Sequence, residues 1–416
     1  MSISKPIEPN KRIEIIDILR GFALLGIIFM NMSFFSGYMF MPFEELKQIS
    51  NFGLDNKLYN LLEITVTGKF YTIFSILFAV GFYIQINKNR DRTVDFLRTY
   101  RRRLFILFII GILHTLFWYG DILLTYSIYG FILILFRNVK PKKLLRWSLF
   151  FLFVPLLLDF ALLPFTEALL ALNPANTNQT PIARTSYPDM LNVDVINIFR
   201  KGSVSEIFKL NIHNFIWKQL SYIPSGGYFK FLGIFLLGYY LASVDFFKKT
   251  PKSTKLILTI LISGIIITIS SKLLGGNAYE VPTLQNIRYK FLSMVGQLLM
   301  SISYIMVIIK IAPTLIGKRV LKYLIPLGRT ALTNYIIQTV LMIVIFYNFG
   351  FSLFGKIGLI PTFIIAVIIV VIQIILSNIW LKNYQFGPLE WVWRSLTYKK
   401  RMKIRNKPYT NTLYII

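Results

Sequence analysis

Ten apolar stretches, each close to the length a bilayer requires, constrain this chain more than any other feature of its sequence. Crossing the hydrocarbon takes roughly 20 residues of helix. Backbone in lipid must also satisfy its own hydrogen bonds, so the predicted fold is an all-α integral membrane bundle. The stretches lie at 15–38, 68–87, 103–119, 121–136, 145–165, 224–243, 254–273, 291–311, 329–349 and 357–381. The first is unusual because it carries an acid, a base and an amide: Asp17, Arg20 and Asn31. At about 100° per residue these three fall within an arc of roughly 60°. A rise of 1.5 Å per residue sets Asn31 about 20 Å from Asp17, near the opposite leaflet. Ionisable groups at such depths normally face a bundle interior or a wet cavity. The alternative is that Asp17 and Arg20 pair at the membrane surface and orient the helix.

The positive charge follows the same pattern. The chain has 416 residues, 55% of them hydrophobic, and a net charge of +28. If the N-terminus is cytoplasmic, the inside segments are 1–20, 87–103, 137–146, 245–255, 310–322 and 382–416, and they hold 32 of the 46 Lys and Arg. That bias predicts both termini inside. Topology and attraction to anionic lipid account for the charge, so no nucleic-acid partner is expected. The first apolar run is too long and too charged for a cleavable signal peptide. With no cysteine, disulfides, thiolate metal sites and a Cys nucleophile are excluded. The two histidines, His114 and His213, are far apart, and no metal-ligand cluster is visible. The chain divides into helices 1–5 (residues 1–165), an extracytoplasmic loop or lid (166–222), helices 6–10 (223–398) and a basic cytoplasmic tail (399–416). Loop signals at Asn173-Pro174, Asn178, Pro181 and Pro188 mark the lid.

Several residues stand out along this frame. Arg101, Arg102 and Arg103 precede the third stretch, and consecutive guanidiniums suit a phosphate. His114 lies 11 residues beyond Arg103, back on the same helix face within about 20°, and Asp121 follows across a Gly120 turn. A lone membrane histidine can also be a structural hydrogen-bonder. Lys230, inside the sixth stretch, reads as a side chain that snorkels outward. Gln297 belongs to a polar stripe with Ser293, Ser301 and Tyr304, and Asn334 and Gln338 form another one turn apart. Either stripe is equally explained by interhelical hydrogen bonding. Glu390 is an acid on a strongly positive face.

Taken together, Asp17-x-x-Arg20-Gly21-x-Ala23, Phe74-Ser75-x-Leu77-Phe78-x-x-Gly81, Gly111-x-x-His114 with Gly120-Asp121-Ile122-Leu123, Gly328-Arg329-x-Ala331-Leu332-Thr333-Asn334-Tyr335-x-x-Gln338 and the closing Phe386-Gly387-Pro388-Leu389-Glu390-Trp391 resemble the YeiB-like bacterial membrane family, a domain of unknown function. The start of the first helix also resembles the heparan-glucosaminide acetyltransferase-like proteins and the membrane acyltransferases that modify surface polysaccharides. In the second group a histidine stands where this chain has Asn31, and an amide cannot act as a base.

What the resemblance implies is a transmembrane acyltransferase in the cell membrane. Its donor is acyl-CoA, held at the inner face by Arg20, Arg101, Arg102 and Arg103, and its acceptor is a cell-envelope glycan or lipid on the outer side. His114 is then expected as general base, Asp121 as its orienting partner and Asn31 as the oxyanion donor, with Asn31 and His114 facing each other across a cavity. Asp17, Gln297, Asn334, Gln338 and Glu390 are expected to support the site, and no metal is expected. The competing expectation is a transporter or flippase for an amphiphilic solute, using the same polar interior without chemistry. An enzyme of this kind predicts a polar tunnel from the Arg102 side to His114, and a transporter predicts a cavity closed at one end.

Overall fold

The structure is a computed structural model that describes residues 13–49, 51–88, 93–172, 195–276 and 282–405. The loop signals between Asn173 and Pro188 lie outside the described residues. The chain is all-α: α1 (Glu14–Phe35), α2 (Phe43–Ile49), α3 (Phe52–Thr65), α4 (Lys69–Lys88), α5 (Thr93–Phe117), α6 (Leu123–Leu135), α7 (Pro141–Leu172), α8 (Val195–Lys201) and α9 (Val204–Ser221) form the first half. The second half comprises α10 (Gly227–Ser243), α11 (Thr254–Leu274), α12 (Leu284–Ile311), α13 (Leu315–Val320), α14 (Leu324–Arg329), α15 (Ala331–Phe346), α16 (Leu359–Asn383) and α17 (Pro388–Tyr398). Among the described residues there is no β-strand.

Each of the ten predicted stretches coincides with a helix. Six segments are long and apolar enough to cross a membrane: α1, α3 running into α4, α7, α11, α12 and α16. A seventh follows if the pair Leu315–Arg329 and Ala331–Phe346, bent by 82° at Thr330, counts as one span. The remaining stretches correspond to α5, whose first turns are charged, and to the shorter apolar helices α6 and α10. The protein is thus a multi-pass membrane protein.

Helix α1 is the hub, packing on α4, α14, α15 and α16. Its burial explains how it tolerates polar groups: Asp17, Leu19, Leu24 and Met32 are all inside. Contact with α14 is so close that a Cβ on Gly328 would overlap the Asp17 carbonyl, and one on Gly21 would overlap the Leu324 carbonyl oxygen. Only glycine on both helices allows this backbone approach. Elsewhere α10 packs on α4 and α7, α11 on α12, and α5 on α6, α9 and α17. Exposed Leu, Ile and Phe side chains are spread along α7, α11 and α16, as expected of helices facing lipid.

Two buried carboxylates fasten distant segments by capping helix N-termini, where unpaired N–H groups and the helix dipole favour an anion. Asp55 on α3 accepts from the Leu359 and Ile360 amides at the start of α16 (2.8 and 3.0 Å). Glu390 on α17 accepts from the Leu332 and Thr333 amides at the start of α15 (2.7 and 3.1 Å) and from the Thr333 hydroxyl (2.5 Å).

Candidate functional site

The described residues line a partly open cavity of about 370 Å³ at one end of the bundle. Its wall is made where α1, α5, α9 and α11 end and where α4, α6, α10 and α12 begin. Asn31 lines it from α1, and Trp118 to Ile122 line it from the turn joining α5 to α6. Gly68, with φ of +85°, makes the corner into α4, and a Cβ there would press on Gln297 at 2.9 Å.

Asp121 carries the main constellation. Its Oδ2 accepts from the Leu124 amide at 2.7 Å, which caps α6 and fixes the carboxylate in a fully buried position. Its Oδ1 lies 2.8 Å from His114 Nδ1, and His114 Nε2 lies 2.9 Å from the Thr339 hydroxyl on α15. A proton on Nδ1 facing the carboxylate leaves Nε2 to accept from Thr339. His114 is 5% exposed and is not part of the cavity wall; Asp121 stands between it and the cavity. Asn31 and Asp121 therefore share the cavity, while His114 sits one residue behind it.

At the other end of the bundle Arg20 pairs with the buried Asp17 at 3.3 Å and lies within electrostatic reach of Arg103. The three arginines do not converge. Helix α5 begins at Thr93 rather than near 103, so the triplet sits on continuous helix where successive side chains diverge by about 100°. Arg101 is exposed. Arg102 donates to the Thr397 carbonyl at 2.9 Å. Arg103 donates to Gln85 Oε1 at 3.1 Å and lies over the Trp393 ring, whose Nε1 donates to the Arg103 carbonyl. Arg102 and Arg103 thus hold α17 on the bundle. None of Arg20, Arg101, Arg102 or Arg103 lines the cavity.

The polar stripes have distinct uses. Gln297 lines the cavity, donating to Tyr71 and Thr72 hydroxyls (2.8 and 2.5 Å) and accepting from Lys230 at 2.9 Å. Ser301 and Tyr304 bond backbone carbonyls of Lys69 and Thr65, which ties α12 to the α3–α4 corner. Asn334 donates to Thr330 and to Ser377 Oγ at 2.9 Å, Gln338 donates to Gln373 Oε1 at 2.9 Å, and Gln373 donates to the Asn334 carbonyl. That network joins α15 to α16. No group of three metal-ligating side chains occurs among the described residues.

The sequence reading missed the lysines. Lys69, Lys218, Lys230, Lys272 and Lys290 all line the cavity, against two acids in its wall, Glu63 and Asp121. Lys230 does not snorkel outward but turns in to Gln297. Burial pushes the Lys218 ammonium down to about 8, with Asp121 opposing that shift. The available signal was a Lys at the same end of four apolar helices (α4, α10, α11 and α12), which alone reads as ordinary interfacial charge.

Comparison with known proteins bears on the whole chain. The family described as "Protein of unknown function (DUF418)" matches residues 241–400. The chain is 30% identical over 426 residues to the uncharacterized protein YxaH of Bacillus subtilis (strain 168), covering 98% of this chain and 99% of that protein. It is 28% identical to the uncharacterized protein YeiB of Escherichia coli (strain K12), covering 92% and 95% of the two chains. An uncharacterized 39.9 kDa protein of Bacillus acidopullulyticus is 28% identical, covering 96% and 97%. No solved structure matches the chain. End-to-end similarity to YxaH shows that the chain belongs to the YeiB-like DUF418 family.

Proposed function

We propose that this protein is a cell-membrane acyltransferase that moves an acyl group from an acyl-CoA-type donor to a hydroxyl or amine of a cell-envelope glycan or lipid. The observation that carries the reading is the buried chain from Thr339 hydroxyl to His114 imidazole to Asp121 carboxylate, ending on the wall of the cavity that Asn31 also lines. A carboxylate on Nδ1 fixes the tautomer and supports the charge that forms when Nε2 takes a proton. In this scheme the site opens around Thr339, because the buried Nε2 faces α15 and not the cavity, and the acceptor hydroxyl takes the place of Thr339 there. Its proton passes to His114 and its oxygen bonds to the acyl carbonyl carbon. The C–S bond then breaks and the departing thiolate takes the proton. Asn31 donates to the developing oxyanion. Mass spectrometry of envelope glycans and lipids from cells with and without the protein tests this. An acyl mass present only with the protein is expected, and identical profiles would count against it.

The second reading, a transporter or flippase, is favoured by one feature: the cavity is confined to one end of the bundle and does not reach Arg20 or Arg102. Both readings need ten crossings, cytoplasmic termini and the cavity on the outer side. Because the chain has no cysteine, Lys209→Cys on the exposed side of α9 supplies the only thiol. It should label in intact cells with a membrane-impermeant maleimide. Labelling only after permeabilisation would invert the topology.

A further inference from the structure

We infer that the cavity holds the phosphate group of an anionic amphiphile, bound by Lys69, Lys230 and Lys272. The charges around the cavity do not balance. Its five lysines are met by Glu63, Asp121 and Asp159, so two cations remain without a carboxylate. Lys290 is the one that is fully matched, at 2.5 Å from Asp159. Asp121 has both oxygens committed, to His114 and to the Leu124 amide. Glu63 reaches Lys272 only at 3.9 Å.

The three named lysines rest mainly on neutral groups. Lys69, 3% exposed, donates to the Glu63 backbone carbonyl at 2.9 Å. Lys230 donates to the amide oxygen of Gln297 at 2.9 Å. Lys230 and Lys272 both act electrostatically on Lys69, and the Glu63 carboxylate acts on it in the opposite sense and more strongly than either. Like charges gathered from α4, α10 and α11 repel one another, and an anion among them offsets that cost. Ammonium groups arriving from three directions suit the several oxygens of a phosphate, which lysine binds as a point charge. The hydroxyls of Ser271, Ser293 and Tyr289 are also in the wall. Beside this polar side, Phe34, Leu156, Phe231 and Met294 offer an apolar one. A charged head against an apolar wall describes an amphiphile, and the volume fits a head group with part of a chain.

The ligand's role as acceptor rests on the acyltransferase reading, whereas its binding does not, so the test uses no acyl donor. The full-length protein in a neutral detergent is titrated with dihexanoyl phosphatidylglycerol, with dihexanoylglycerol as the phosphate-free control, and bound mass is read by native mass spectrometry. The phospholipid should bind at least about tenfold more tightly than the control. Lys230→Gln and Lys272→Gln should each weaken it by about 10- to 100-fold, the range for a lost hydrogen bond to a charged group. Glu63→Gln, which removes a competing carboxylate, should tighten it, and this gain cannot come from a misfolded protein. Inorganic phosphate is the second arm. Competition by phosphate assigns the site to a soluble phosphate compound, and its failure to compete assigns the site to a lipid head group. Equal binding of phospholipid and control with no binding of phosphate, or affinity unmoved by all three substitutions, would overturn the inference.

Discussion

His114→Ala is expected to lower acyl transfer by 10²- to 10⁴-fold, the usual contribution of a positioned general base, while the protein remains folded and inserted. The imidazole is the one group in the Thr339–His114–Asp121 chain that can receive a proton at one nitrogen, Nε2, while the other keeps its N–H on the carboxylate. Asp121→Asn should cost nearly as much although Asp121 touches no reacting atom, because an amide on Nδ1 no longer selects the tautomer that leaves Nε2 basic. A purely structural role predicts another pattern. Removing the ring strands the Asp121 oxygen and the Thr339 hydroxyl, at about 1–3 kcal/mol per buried group, and rate would then follow stability. Thr339→Val separates the two: it breaks one of those two hydrogen bonds, so a structural role predicts a rate lowered in step with its stability, whereas the catalytic role leaves most of the rate. Initial rates in proteoliposomes, alongside thermal unfolding of the same preparations, make the comparison. Full activity in His114→Ala would remove the catalytic assignment and put the transporter reading ahead.

The His114–Asp121 contact was legible in the sequence because it is local: seven residues across one tight turn at Gly120. The helices were legible for a related reason, since apolar length is set by the bilayer and not by tertiary detail. The arginine triplet misled because its meaning depended on where α5 starts. Ten residues of additional helix turn Arg102 and Arg103 towards α17, some 290 residues away in the chain. The lysine cluster was illegible for the opposite reason. Lys69, Lys230 and Lys272 come from three helices, and periodicity fixes the face a residue occupies without saying which faces meet. Asp55 lies between the first two apolar stretches of the sequence, and only the placement of α16 supplies the amides it caps. Polar residues in this fold are thus decided by long-range assembly, while apolar ones are decided by the solvent around them.

Glu390→Ala should be the most destabilising single change outside the spans, by about 3–5 kcal/mol. One buried carboxylate satisfies two amides at the start of α15 and the Thr333 hydroxyl, and each donor left buried without a partner costs about 1–3 kcal/mol, with incomplete additivity. Lost with it is the anion at the α15 N-terminus, where the helix dipole favours negative charge. Glu390→Gln keeps one acceptor and the side chain's volume, so it should cost clearly less. Burial pushes the Glu390 carboxyl above its ordinary value of 4.5, against the opposing hydrogen bonds from Thr333 and Leu332. The folded protein therefore binds this proton more tightly than the unfolded chain. From that group alone, stability declines as pH rises from the ordinary value through the raised one, and Glu390→Gln should flatten that slope. Thermal unfolding in detergent at pH 5 and pH 7, for wild type and both variants, reads the size and the sign together. A Glu390→Ala protein that unfolds with wild type would mean that α17 is held by Arg102, Arg103 and Trp393, and that the carboxylate adds nothing to them.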